Sequence, residues 1–147
     1  MSTFGERQCH DKKVFTKEEL LEYWTLEQTV RQENEEIINL QSKATRITSS
    51  FSDSPKGQAS NDTTGRIYAE LIDRKATYYE KRLIAERTRN EILKYIIGID
   101  DAKTRLVLQL RYLDFLSWKK VAAEVGGDNT KEGVQRITER FFKKQNT

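Results

Sequence analysis

Five residues spaced by sevens, Tyr23, Val30, Ile37, Ala44 and Phe51, constrain the fold of this chain more than anything else in it. An apolar side chain at every seventh residue keeps to one side of an α-helix for many turns, whereas on a strand it would alternate between the two faces. Leu26, Leu40 and Ile47 repeat at a second heptad position, interrupted by Glu33, so the stretch reads as a coiled-coil-like seam. The pattern predicts one helix from about Lys17 to about Ser49, roughly 50 Å long at ~1.5 Å per residue. A helix of that kind cannot bury its seam alone and needs a partner helix. Composition agrees. One Pro, seven Gly and a charged fraction of 33% in 147 residues suit long helices and are poor material for a fold of many tight turns.

The start of the helix is written locally. Thr16 is placed as N-cap, Glu19 completes a capping box, and Phe15 can staple the entry. The preceding residues lack periodicity and are expected to form a disordered tail, 1–15. Ser, Asp, Asn, Gly and the sole Pro55 between Ser49 and Gly65 predict a loop near 50–65. A second long helix is predicted from Arg66 to Ile97, with Leu71, Tyr78, Ala85, Ile92 and Ile99 as its seven-residue stripe and Ile67 and Ile96 beside it. The simplest arrangement is an antiparallel helical hairpin over 16–99. Homo-oligomerisation through the same long helices is the competing one, and heptads do not separate the two.

"IGIDD" interrupts the pattern. Gly98 can cap the outgoing helix and Asp100 or Asp101 the next, so a small unit is expected over 100–147. Its third helix is predicted from Ala102 to Phe115 with Leu106, Leu110 and Leu113 on one face. Ser117 can cap a short helix, Trp118 to Val125, with Trp118, Val121, Ala122 and Val125 inward, stopped by Gly126 and Gly127. Thr130 can cap a last helix from Lys131, with Val134, Ile137 and Phe141 inward. A small residue such as Ala122 where two helices cross, with glycine just after the first, suits a helix-turn-helix. Such a unit has few inward side chains for its length, so it is expected to lean on the long helices, a partner or DNA. The expected fold class is therefore all-α: a long antiparallel helical hairpin followed by a small three-helix helix-turn-helix unit.

Charge is unevenly placed. From Lys103 onward there are ten Lys/Arg against five Asp/Glu, leaving 16 against 18 for the rest of the chain. A basic end on a near-neutral body points to a polyanion partner. On the last helix Lys131, Glu132, Gln135, Arg136, Glu139, Arg140 and Lys143 cannot face inward. The leading ones stand where a recognition helix meets base edges. Arg and Lys can pair with guanine, Gln with adenine, and Glu with the cytosine amino group. This makes Lys131, Glu132, Gln135 and Arg136 candidate base contacts. Lys119, Lys120, Arg140, Lys143 and Lys144 are placed as phosphate neutralisers, which give affinity and salt dependence without sequence information. A solvated helix face accounts for the same charges equally well.

The stretch "TRLVLQLRYLDFLSWKKVAAEVGGDNTKEGVQRITERFFKK" resembles the fourth region of bacterial housekeeping sigma factors. The resemblance rests on Val107, Leu108, Leu110, Arg111 and Tyr112, then Trp118, Val121, Ala122, Val125 and Gly126, then Thr130, Lys131, Glu132, Val134 and Ile137. Upstream, "LQSKATRITSSFSDSPKG" (Leu40 to Gly57) followed by a second long helix is similar to a phage-encoded family related to the RinA and ArpU late-gene regulators. The resemblance implies a transcriptional regulator in the cytoplasm of a bacterial host, activating late genes with host RNA polymerase. It also implies that Lys131, Glu132 and Arg136 approach bases while Gln135 approaches phosphate. Two departures bear on that transfer. The turn "GGDNT" is two residues longer than in the sigma pattern, and Gly133 stands in the first turn of the last helix.

Other chemistry has little to stand on. His10 is the only histidine and Cys9 the only cysteine, so a metal site has no second pair of ligands. One cysteine makes no internal disulfide, which suits a reducing compartment. "GGDNTKEG" lacks the terminal Lys-Ser/Thr of a phosphate-binding loop. No apolar run approaches the ~20 residues that span a bilayer, and the N-terminus lacks the apolar stretch of a signal peptide. No enzyme activity, cofactor or membrane partner is expected. Two other readings of the same features are a small-terminase-like DNA-packaging protein and an interaction protein that docks on polymerase without touching DNA.

Overall fold

The computed structural model describes residues 13–51 and 58–146. It contains α1 (Lys17–Phe51), α2 (Gln58–Ile97), α3 (Ala102–Leu108) running into a π-helical turn (Gln109–Leu113), α4 (Trp118–Val125) and α5 (Lys131–Gln145), and no strand among the described residues. The chain divides into two compact units, one of Leu26–Ala85 and one that joins the segment ending at Thr25 to Glu86–Thr147. The expected tail at 1–12, Cys9, His10, Pro55 and the side chain of Phe51 lie outside the described residues.

The unit Leu26–Ala85 is an antiparallel hairpin. Ile37 and Ala44 of α1 pack with Ile67 and Leu71 of α2, flanked by Leu40, Ile47 and Tyr78. Val30 and Ala85 are buried as well. The antiparallel direction shows in two ion pairs across the seam, Glu36 with Arg74 and Glu33 with Lys81, the latter at 3.2 Å: moving down α1 means moving up α2. Glu33, which breaks the apolar heptad, thus carries a cross-helix charge pair. Glu36 and Glu70 both hydrogen-bond the Arg74 guanidinium and hold its pKa above the usual value. Within one chain this seam is closed.

Helix α2 starts at Gln58, eight residues before the expected Arg66. The "ASNDTTG" stretch reads as a breaker cluster, but extending a helix already nucleated downstream costs only the small propensity penalty of each added residue. At its other end α2 closes without a left-handed glycine. The Gly98 amide donates to the Lys94 and Tyr95 carbonyls at 3.3 and 3.2 Å, and Ile99 to Ile96 at 3.0 Å, a tightened last turn.

The second unit is built around nine buried side chains. Phe15, Leu20 and Tyr23 come from the start of α1, Ile92 and Ile96 from the end of α2, Leu108, Tyr112 and Leu113 from α3 and its π-helical turn, and Phe142 from α5. The capping box forms as the sequence predicts: Glu19 N donates to Thr16 Oγ1 at 3.2 Å and Thr16 N to Glu19 Oε1 at 3.4 Å. Phe15, placed by the sequence at the end of the tail, is core, 2% exposed.

Helix α3 departs from expectation. The predicted stripe of Leu106, Leu110 and Leu113 holds only in part: Leu113 is buried and Leu110 half-buried, but Leu106 is 41% exposed, and Val107, Leu108 and Tyr112 are buried in its place. Six of the eight residues from Leu106 to Leu113 are apolar or aromatic, so more than one phase of the helical repeat fits. The N-cap selects between them. Asp101 Oδ2 accepts from Thr104 N at 3.0 Å and from Thr104 Oγ1 at 2.5 Å, which turns Thr104 inward with Val107 and Leu108. The helix also stops short of Phe115. Asp114 N reaches back to Gln109 O at 3.0 Å, and Phe115 takes φ 58°, a left-handed conformation that costs a non-glycine residue ~1–2 kcal/mol. Its ring lies 5.7 Å from that of Tyr23, and Arg89 Nη1 donates to Leu113 O at 2.8 Å. These contacts offset the strain.

Two outcomes follow for stability. Phe142→Ala empties a site shared by three segments and is expected to cost about 3–5 kcal/mol in urea unfolding. The Asp101 carboxylate has a depressed pKa, caused first by the Thr104 hydroxyl and then by the Thr104 amide. Its contribution is present above the unfolded-state pKa of about 3.9 and is lost as pH falls through the lower folded value. The melting-temperature gap between wild type and Asp101→Ala should therefore be full at neutral pH and close below pH ~4.

Candidate nucleic-acid interface

Helices α3, α4 and α5 enclose a second, smaller core of Val107, Val121, Ala122 and Val134, with Leu110, Leu116, Trp118, Val125 and Ile137 around it. Helix α4 takes its predicted bounds and α5 its predicted start, because these ends are encoded locally. Ser117 caps α4, its side chain accepting from Lys120 N at 3.3 Å. Gly126 and Gly127 then adopt φ 78° and 64°, conformations open to glycine and costly to other residues. Asn129 Nδ2 donates to Gly126 O at 2.6 Å, and Thr130 Oγ1 accepts from Gly133 N at 3.0 Å as N-cap of α5. This turn leaves five residues, 126–130, between the two helices.

Gly133 has a local role that the sequence does not announce. A Cβ there would lie 3.2 Å from Thr130 Oγ1, tighter than ordinary van der Waals contact. Glycine therefore lets the capping hydroxyl sit close over the first turn, at a propensity cost of ~1 kcal/mol against alanine.

Helix α5 is held at one end and bare at the other. Phe142 packs edge-on against Tyr112 with centroids 6.0 Å apart, and Phe141 lies 6.3 Å from Tyr95. Gln145 Nε2 donates to Phe15 O at 3.3 Å and also bonds the Tyr95 hydroxyl. Burial pushes the Tyr95 pKa up, and the Gln145 contact opposes it. At the leading end Lys131 and Glu132 are exposed. Thr138 is buried, its hydroxyl donating to Val134 O at 3.2 Å. Thr138 and Phe142 extend the inward row from Val134 at four-residue steps. Sequence pattern alone misses both, one because it is polar and the other because adjacent Phe141 competes with it.

Glu132, Arg136, Arg140 and Lys143 follow steps of four, four and three, so they share one outward side of α5, and all are exposed. Lys119 and Lys120 are exposed in the first turn of α4, and Lys144 in the last turn of α5. Among the described residues, the side chains of Lys119, Lys120, Lys131, Arg136, Arg140 and Lys143 make no hydrogen bond or ion pair. Gln135 stands apart. It is half-buried and lines a shallow depression of about 320 Å³ with Tyr112, Trp118, Thr138, Glu139 and Phe142.

The two arginines of α3 and its π-helical turn are committed to the fold, whereas Lys103 is exposed. Arg105 Nη1 donates to Ile99 O at 2.9 Å and Arg111 Nη1 to Leu116 O at 3.0 Å. The Arg111 guanidinium also lies 4.6 Å from the Trp118 ring centroid, a cation–π contact that joins the π-helical turn to the start of α4. The positive charge left for an external anion is thus concentrated on α4 and α5. No group of acidic, histidine and cysteine side chains able to hold a metal occurs among the described residues, and no helix there is long and apolar enough to cross a membrane.

Compared with protein-family models, curated proteins and solved structures, the chain matches none.

The turn should be sensitive to its first glycine. Gly126→Ala forces a side chain into φ 78° with space around it but strain in the backbone, an expected loss of about 1–3 kcal/mol in urea unfolding. Gly65→Ala is the matched control: nothing lies within 4 Å of an added Cβ, and a gain of up to ~1 kcal/mol is expected from helix propensity.

Proposed function

We propose that the chain is a sequence-specific DNA-binding transcriptional regulator, with α4–turn–α5 acting as a helix-turn-helix and α5 as the helix that enters the major groove. The observation that carries the reading is the outward side of α5. A helix locked by its inner row and by its C-terminal end presents unpaired Arg136, Arg140 and Lys143 in line with its exposed first turn. In this reading Lys131, Glu132 and Arg136 face base edges. Arg140, Lys143, Lys144, Lys119 and Lys120 neutralise phosphates and set register. Gln135 takes the phosphate role that the sigma-factor resemblance implies, since it lies on the flank towards Trp118. The similarity of Leu40–Gly57 to the RinA and ArpU families adds the context: a phage-encoded regulator that works with the polymerase of a bacterial host.

The reading is tested by binding to duplex DNA selected from a random pool and by salt titration of the selected site. Arg136→Ala is expected to cost about 1–3 kcal/mol on that site and to relax preference at one position. Lys143→Ala with Lys144→Ala should weaken all sequences alike and make the salt slope shallower by about one for each phosphate no longer neutralised. A pool that yields no enriched sequence, with or without polymerase, would refute the assignment. Co-purification with polymerase in that case would leave the docking role.

A further inference from the structure

Helix α2 carries a second apolar seam that the hairpin does not use. Tyr68, Ile72, Tyr79 and Leu83 are 47%, 69%, 60% and 48% exposed, and Ala69 and Ala76 are exposed with them. Isolated exposed apolar residues are ordinary, but these, apart from Tyr68 on the flank, recur with heptad spacing. Ala69, Ala76 and Leu83 occupy one core position of the repeat, and Ile72 and Tyr79 the other. The buried seam of the same helix, Ile67, Leu71, Tyr78 and Ala85, lies on a different side. The second seam is also partly preset: the Tyr79 ring rests 5.5 Å from that of Tyr78, which itself packs on the hairpin core.

The flanks of the seam indicate what covers it. Asp73 and Glu80 border one side, and Lys75 and Arg82 border the other. In a parallel pair of such helices each flank meets the opposite flank of its partner, so Lys75 faces Glu80 of the second copy, twice by symmetry. In an antiparallel pair like flanks meet, setting Asp73 against Glu80 and Lys75 against Arg82, which is unfavourable. Lys75 and Glu80 make no ion pair or hydrogen bond within the described chain. We infer that the occupant is a second copy of this chain, joined through α2 in parallel register, and that the protein is a homodimer. The inference concerns the hairpin alone and is read without DNA, so its failure and that of the regulator reading are separable.

The experiment is sedimentation velocity of the full chain over a concentration series, with cross-linking. The wild type should reach twice the chain mass. Ile72→Ser with Tyr79→Ser should weaken dimerisation roughly tenfold or more while the dilute, monomeric variant keeps the helical circular-dichroism signal of the wild type, because both side chains are exposed; the melting temperature should lose its dependence on chain concentration. Glu80→Lys should weaken the dimer about two- to fivefold, and adding Lys75→Glu should restore it. In a Cys9→Ser background, Ala69→Cys should oxidise to a covalent dimer, since a core position faces its own copy only when the helices run parallel. A chain that stays monomeric at every concentration overturns the inference and leaves the face to a different partner. So does a dimer that Glu80→Lys strengthens, or one that Ala69→Cys does not cross-link.

Discussion

The fit of Phe142 against Tyr112, Leu108 and the start of α1 is the contact on which the C-terminal helices depend. Helices α3 to α5 have two apolar sides. One closes on itself around Val107, Val121 and Val134. The other, with Leu108, Tyr112, Leu113 and Phe142, closes only because Phe15, Leu20, Tyr23, Ile92 and Ile96 complete it. A stretch of fewer than 50 residues rarely builds a sufficient core alone. Here the missing apolar area comes from the end of α2, just upstream, and from the start of α1, about 80 residues earlier in the sequence. The compact unit is therefore not a contiguous segment, and it ties residues before Thr25 to residues after Glu86.

That arrangement also divides the electrostatics. Cations near the core are used as donors to backbone carbonyls at helix ends, where unpaired C=O groups collect: Arg89 to Leu113, Arg105 to Ile99, Arg111 to Leu116. Among the described residues no buried side-chain nitrogen or oxygen lacks a partner. The cations on the outward side of α5 take no part in this satisfaction. Their removal should leave the fold in place, whereas Arg111→Ala should not be silent, since it frees a carbonyl and uncovers Trp118. A net positive count over a segment conceals this distinction, and only the positions of the partners reveal it.

What the sequence shows and what it hides divide along the same line. Local chemistry is readable. The Thr16–Glu19 box, the Ser117 and Thr130 caps and the Gly126–Gly127 stop each lie within a few residues of the end they define, and α4 and α5 begin where those residues say. The heptads of the hairpin are readable too, because Ile37, Ala44, Leu71 and Ala85 repeat with one period over many turns. Features that depend on distant partners are not. The phase of α3 is ambiguous among six apolar residues and is settled by Thr104 turning inward. Left-handed Phe115 is held by distant partners, Tyr23 beside its ring and Arg89 on the Leu113 carbonyl. Gln135 looks equivalent to its neighbours until Trp118 and Tyr112 place it on a flank. The start of α2 at Gln58 is hidden because composition marks poor helix formers without weighing the low cost of extending an existing helix.

The two faces of α2 show why a buried seam and an exposed one can coexist on a single helix. The buried face is flanked by charge pairs that cross to α1, Glu36–Arg74 and Glu33–Lys81, and these match the antiparallel partner that the short connection already imposes. The exposed face carries its acidic and basic residues on opposite flanks, an order that suits a parallel neighbour and opposes an antiparallel one. The hairpin can therefore form without consuming the second face. Apolar residues supply most of the attraction in both seams, but burial alone has no direction. The charges beside the exposed seam decide which helix may lie there, and in which sense.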